Sequence, residues 1–248
     1  MPMPAPGSVR WVKATLVGSR TEVPGTRTLV IDSEDFTPAL AGQHVDIRLT
    51  AEDGYTAQRS YSLASPAGAK PFEITVDRLP DGEVSPYLVD GVEIGDMLEV
   101  RGPIGLWFVW RPVQVEPITL IAGGSGVVPL MSMIRTRQAA QTGGDFRLLY
   151  STRMPERFIY GQELMTLDAE ADWFTLHTLY TRQAPPSDAR GAHRLNADDL
   201  RDLAFAPEMG SSIYVCGPTP FVEVVADTLM QMGHDPAKVR TERFGASG

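Results

Sequence analysis

From residue 9 to about residue 110, apolar positions come in short runs broken by polar ones: VRWVKATLVG, TRTLVID, QHVDIRLT, RSYSLAS, FEITVDRL and DMLEVRG. Apolar and polar residues alternating over four to eight positions is the pattern of a strand with one buried and one wet face. Between the runs lie PGT, LAGQ, SPAGAKP and LPDGE, whose glycines and prolines supply the backbone angles that tight turns need. This half predicts an antiparallel β-barrel with one short helix at SPYLVDGV.

Beyond WRPVQVEP the pattern changes. ITLIAGG, FRLLYST, FTLHTLYT and SIYVCGP are almost continuously apolar, as strands covered on both faces are. Helical spacing fills the intervals at 129–141, 161–170 and 196–204, and a last helix runs over 219–232. Strand and helix alternating in this way predict an α/β doubly wound, parallel-sheet domain with its ligand crevice at the carboxyl ends of the strands. The expected division is therefore two-domain, 1–111 and 112–248.

Composition narrows the chemistry. At 248 residues, with 43% hydrophobic and 21% charged residues, both halves can bury a core. No uncharged apolar run approaches the roughly 18 residues that span a bilayer, and MPMPAPGSVRW lacks the apolar centre of a signal peptide, so a cytoplasmic protein is expected. Cys216 is the only cysteine; an intrachain disulfide and a cysteine-ligated iron–sulfur cluster are both excluded. His44, His177, His193 and His234 show no metal-ligand spacing, and no metal is expected. A net charge of −9 disfavours nucleic acid, whose backbone needs clustered Lys and Arg.

Four segments carry chemistry. AGGSGVVPLMSMI places a glycine turn directly after an apolar strand and before a helix expected to open at Pro129. Such a turn admits a pyrophosphate to backbone N–H groups and to the helix dipole, or is simply a tight strand-to-helix connection. QRSYSLAS offers Arg59, Tyr61 and Ser62, a phosphate binder, a stacking surface and a hydroxyl. VDRLPDGEVSPYL brings Ser85 to the expected N-cap of the short helix. YVCGPTPF ends a buried strand in Cys216 and a Gly-Pro turn; a lone strand cysteine is usually a small inert hydrophobe.

In this order the segments resemble the ferredoxin-NAD(P) reductase family of flavoproteins. RSYS is similar to its RxYS flavin motif, DGEVS to its GxxS pyrophosphate motif, GGSGVVP to its nucleotide loop, VCGP to its CGP motif and RGPIG to its GPxG turn. The resemblance implies Arg59 on a flavin phosphate, Tyr61 against the isoalloxazine ring, Ser62 near flavin N5, and Gly82 and Ser85 on the pyrophosphate of FAD. It implies Gly123, Gly124, Gly126 and Pro129 in the nicotinamide-nucleotide loop, with Cys216, Gly217 and Pro218 beside the nicotinamide. Ser60, Val76, Arg78, Val84, Ser151 and Arg153 join the cofactor-binding set. Phe244 in the terminal ERFGASG is the candidate for the aromatic residue that shields the flavin.

The implied activity is hydride transfer from NAD(P)H to FAD, with Ser62, Cys216 and Phe244 aligning the rings and electrons passing to a separate acceptor protein, a ferredoxin or an oxygenase component. The alternatives are an NAD(P)H:flavin reductase and a non-catalytic nucleotide-binding regulatory subunit. Thr181 and Arg182 look like the family's Ser-Arg pair for the 2′-phosphate, with Arg153 and Arg190 nearby, which favours NADPH. Asp188 and the lack of a clear adenine-stacking Tyr point to NADH.

Overall fold

In a computed structural model the described residues are 10–51 and 53–244. The segment MPMPAPGSV, which bears on the signal-peptide reading, lies outside them. Among the described residues no helix is long and apolar enough to cross a membrane.

The first sheet has six antiparallel strands in the order β4-β3-β6-β1-β2-β5. These are β1 (Trp11–Val23), β2 (Thr26–Asp32), β3 (His44–Thr50), β4 (Thr56–Ser62), β5 (Phe72–Asp77) and β6 (Met97–Ile104). Strand β1 serves two partners: Trp11 to Thr15 pair with β6 and Thr15 to Val23 with β2, across an irregularity between Leu16 and Gly18. A bulge there bends the strand. An isolated bridge from Leu63 to Ile74 ties the β4 end of the sheet to β5. Inside, Leu16, Leu29, Ile31, Ile47, Ile74 and Val100 are fully buried, the inward positions of the alternating pattern.

The second sheet is parallel, in the order β11-β10-β7-β8-β9. Its strands are β7 (Ile118–Gly123), β8 (Phe146–Thr152), β9 (Phe174–Tyr180), β10 (Ser212–Pro218) and β11 (Val239–Phe244), with α1 (Val127–Ala140), α2 (Gly161–Glu170), α3 (Ala197–Leu203) and α4 (Thr219–Gln231) between them. All six residues of β7 are buried, as the unbroken apolar run requires. Asn196 caps α3 by accepting from the N–H groups of Asp198 and Asp199 at 3.0 Å, while Asp199 accepts from Asn196 N–H at 3.0 Å, a reciprocal capping box.

Three expectations need correction. The sheet has a fifth strand, β11, which the pattern did not reveal: VRTERF holds four polar or charged residues between Val239 and Phe244, because β11 is an edge strand only partly buried. Helix α1 opens at Val127 and not at Pro129; Gly126 and Val127 already have helical angles, and Pro129 sits third, where a missing N–H costs nothing. Ser85 is not a cap: its hydroxyl accepts from Leu79 N–H at 3.1 Å, bracing the turn before the short helix, whose final residues Tyr87–Gly91 form a π turn with no side-chain cap.

Helix α1 ties the parallel-sheet half to the segment after β4 and to β5. Ser132 Oγ donates to the Ser65 carbonyl at 2.6 Å, Ala67 N–H donates to Thr136 Oγ1 at 2.8 Å, and the Arg135 guanidinium reaches the Ala64 carbonyl at 2.9 Å and Glu73 at 3.0 Å. Tyr160, with φ of 59°, sets its hydroxyl against Thr75 Oγ1.

Candidate functional site

Between the sheets lies a cleft of about 550 Å³. The first sheet contributes Arg59, Ser60, Tyr61 and Ser62 from β4 and Gly82, Val84 and Ser85 from the turn after β5. The second contributes the carboxyl ends of its strands: Gly123 and Gly124 after β7, Ser151, Thr152 and Arg153 at β8, Thr181 after β9, Pro218 ending β10 and Phe244 ending β11. Segments far apart in sequence thus meet at the crevice that an open parallel sheet offers a ligand.

The loop after β7 suits an anionic group. Gly124 has φ of 55°, and a Cβ there would meet no atom within 4 Å, so its backbone lies bare to the cleft. Helix α1 follows with no capping side chain and no acid in its first turn; the Val127 N–H is taken up by the Gly124 carbonyl and Pro129 has none, so the helix offers the positive end of its dipole. The two flanking glycines are required by packing. A Cβ on Gly123 would stand 2.8 Å from the Phe221 ring, and one on Gly126 would stand 2.2 Å from the Cys216 carbonyl oxygen.

Where the sheets meet, Ser62 Oγ donates to Glu242 Oε1 at 3.2 Å. Burial raises the Glu242 carboxyl to about 7, against the lowering effect of the Ser62 hydrogen bond. It is poised to hold or release a proton near neutrality. Burial also raises the Tyr61 hydroxyl, with Arg59 opposing, so Tyr61 is neutral and presents an aromatic face with a polar tip. The Arg59 guanidinium donates to the Gln58 carbonyl at 2.7 Å and stands 3.7 Å from Glu83.

Other candidates stand apart from the cleft wall. Cys216 is fully buried in the core behind it, its thiol pushed up by burial and by Glu242, and Gly217 is held between Phe221 and Gly123. Val76 points into the barrel core. Arg78 pairs with Asp90 at 2.6 Å. Pro129 is buried in α1. Arg182 is exposed and outside the lining, though its N–H donates to the Arg153 carbonyl at 3.0 Å, which sets these two residues side by side. Arg190 is bound by both oxygens of Asp199, each at 2.7 Å. The sequence reading missed Glu242 and Phe221. The first hides in an edge strand that pattern did not predict, and the second reads as an ordinary helix residue.

Comparison with known proteins agrees with this geometry. Residues 26–109 match the Oxidoreductase FAD-binding domain and residues 120–227 the Oxidoreductase NAD-binding domain. The chain belongs to the ferredoxin reductase-like family, which joins these two domains. It is 33% identical over 208 residues to the glycine betaine monooxygenase reductase subunit of Chromohalobacter salexigens, covering 83% of this chain and 56% of that protein. It is 29% identical over 225 residues to a flavohemoprotein of Rhodopirellula baltica, covering 86% and 55%. The chain thus spans a little over half the length of these relatives. The flavohem-like FAD/NAD binding domain of nitric oxide dioxygenase from Vibrio cholerae O1 biovar El Tor shares the fold, with a TM-score of 0.83 at 24% identity over 94% of this chain and 98% of that one.

Proposed function

We propose that this chain is an FAD-dependent reductase that takes a hydride from NADPH and delivers electrons to a separate acceptor protein, with residues 1–111 as the FAD-binding and 112–248 as the NAD(P)-binding domain. The observation that carries the reading is the cleft itself, in which Arg59 to Ser62, the Gly82 to Ser85 turn and the Gly123–Gly124 loop face one another. Hydroxyls, guanidinium groups and bare backbone N–H groups suit phosphates, and Tyr61 and Phe244 suit flat rings. A bound FAD supplies the hydride-accepting ring.

The protein's own part is alignment and proton handling. Arg59 and Ser85 hold the phosphates of the flavin nucleotide, and Tyr61 stacks on its ring system. Gly124 and the amino end of α1 receive the pyrophosphate of the nicotinamide nucleotide. Ser62 presents its hydroxyl where the two cofactors meet, and Glu242 behind it exchanges a proton. Phe244 shields the ring face and excludes water. Cys216 acts from behind the wall, fixing through its backbone the approach of Gly126. Arg153 and Arg182, side by side on neighbouring strand ends, favour NADPH through its 2′-phosphate.

Relatives that include a monooxygenase reductase subunit and a 2-halobenzoate 1,2-dioxygenase electron transfer component favour an oxygenase component as acceptor over a free flavin. Anaerobic addition of NADPH to the purified protein tests the reading. The flavin absorbance must bleach, and mass spectrometry of the released flavin must give FAD. A protein that stays coloured, or carries only FMN, overturns it.

A further inference from the structure

A second hollow, of about 340 Å³, opens between the chain that joins the two sheets and the start of β11, and shares none of its lining with the cleft. Leu106, Trp107 and Val113 line it while remaining 78%, 63% and 79% exposed. Its charged residues are Arg111 and Arg240, both cationic, although acids outnumber bases 31 to 22 in the chain. The Arg240 guanidinium is held in place by neutral groups. Its Nη1 donates to the Val109 carbonyl at 3.5 Å and to the Tyr214 hydroxyl, and the group lies 5.2 Å from the centre of the Tyr214 ring. Tyr214 is fixed in turn, donating to the same carbonyl at 3.1 Å and meeting the Phe108 ring edge-on at 5.4 Å. Glu116 is engaged elsewhere, its Oε1 accepting from Gln114 Nε2 at 3.2 Å and from Ser212 Oγ at 2.7 Å. Among the described residues no carboxylate pairs with Arg111 or Arg240.

We propose that this hollow is a small-molecule site, separate from the cleft, for a flat organic carboxylate. Its volume falls at the lower end of the roughly 300 to 1,000 Å³ of such sites, which set apolar walls around a few convergent polar groups and favour the boundary between domains. Here the boundary chain supplies Arg111 and the walls, and β11 supplies Arg240. Because Nη1 of Arg240 is already engaged, the Nε and Nη2 edge of its planar fork receives the two carboxylate oxygens. Arg111 adds a second positive charge. The ring of the ligand lies along Trp107 and covers Leu106 and Val113, taking from water the apolar surface that they expose. A neutral amide of the same shape loses both charge-assisted bonds, and a bare acid such as acetate gains no apolar burial.

Cinnamate, cinnamamide and acetate are the probes, titrated into the purified full chain by calorimetry. Cinnamate should bind saturably, one per chain, and shift the indole N–H resonance that Trp107→Ser removes. Cinnamamide and acetate should bind at least about tenfold more weakly. Arg111→Gln, an exposed position, and Trp107→Ser should each raise the Kd of cinnamate about tenfold. Arg240→Gln should raise it further, and if that variant melts early because Tyr214 has lost its partner, the other two still decide. Raised ionic strength should weaken the wild type more than Arg111→Gln. Saturating NADP+ and the cleft variant Arg59→Ala should leave the Kd where it was. Absent saturable binding, equal affinity for cinnamamide, or a Kd indifferent to Arg111→Gln and Trp107→Ser overturns the proposal. So does displacement by NADP+, which would put the acid in the cleft. A wild-type dimer in sedimentation that Trp107→Ser dissolves also overturns it, since the hollow would then seat a second copy.

Discussion

Ser62 and Glu242 stand 180 positions apart in sequence and share a 3.2 Å hydrogen bond across the seam between the two sheets. The bond joins β4, the strand that carries the flavin-type motif, to the edge strand of the other domain. It makes the seam part of the site.

The Glu242 carboxyl keeps its proton to about pH 7 when folded, against an ordinary value of 4.5. Between these values the folded chain binds more protons than the unfolded one, so stability is greatest below pH 4.5 with respect to this group and declines as pH rises toward 7. The loss amounts to about 3 kcal/mol at most, at about 1.4 kcal/mol per unit. Glu242→Gln should remove this decline, seen as urea midpoints of flavin-depleted protein that no longer differ between pH 5 and pH 8 through this group. The same variant should lose any inflection near pH 7 in flavin reduction by NAD(P)H. An unchanged inflection would assign the proton to another group.

Gly124 and Gly126 lie two residues apart and are expected to fail differently. Alanine at 126 would put its Cβ 2.2 Å from the Cys216 carbonyl oxygen and 2.7 Å from Gly217 N; backbone on both counts must move, and a loss of about 3 kcal/mol is expected. Alanine at 124 meets nothing within 4 Å and bears only the left-handed backbone cost of about 1 to 2 kcal/mol. Its Cβ faces the cleft, so KM for the nucleotide should rise severalfold while the protein stays folded. Melting temperature and KM measured together separate the two.

Arg59→Ala removes a guanidinium from the cleft wall without touching either core. Loss of a charge-assisted hydrogen bond of about 1.5 to 3 kcal/mol predicts roughly 10- to 150-fold weaker flavin binding, read as flavin-to-protein absorbance after gel filtration. Full flavin retention would remove Arg59 from the phosphate role.

Much of the fold is legible in the sequence. The unbroken apolar runs of β7, β8 and β10 could only be strands buried on both faces, and the glycine loop between ITLIA and α1 stood out by its punctuation. The remainder depends on distance in space. Strand β11 is polar through its centre because it is an edge, and Glu242 hides within it. That Gly126 is a steric necessity depends on a carbonyl 90 residues away at Cys216. Arg190 looked as available as Arg182 in the sequence; only the fold shows it consumed by Asp199.

That contrast gives the final prediction. Arg190 donates two 2.7 Å bonds to Asp199 and others to the carbonyls around it, so Arg190→Ala leaves a partly buried carboxylate without its counter-ion, held only by the Asn196 N–H, and should cost about 2 kcal/mol of stability. It should leave the ratio of kcat/KM for NADPH and NADH where it was. Arg182 is exposed and lies beside Arg153 on the adjoining strand end, where a phosphate carrying about two negative charges would sit between two guanidinium groups. Arg182→Ala should therefore leave melting unchanged and penalise NADPH over NADH by about 1 to 3 kcal/mol, roughly 5- to 150-fold in the ratio. Arg153→Ala should act in the same direction, and the pair should be less than additive because both address one ligand group. An equal loss for both nucleotides in either variant would mean that neither arginine reads the 2′-phosphate, and Asp188, in the loop between Arg182 and Arg190, would then be the residue to test against the ribose hydroxyl of NADH.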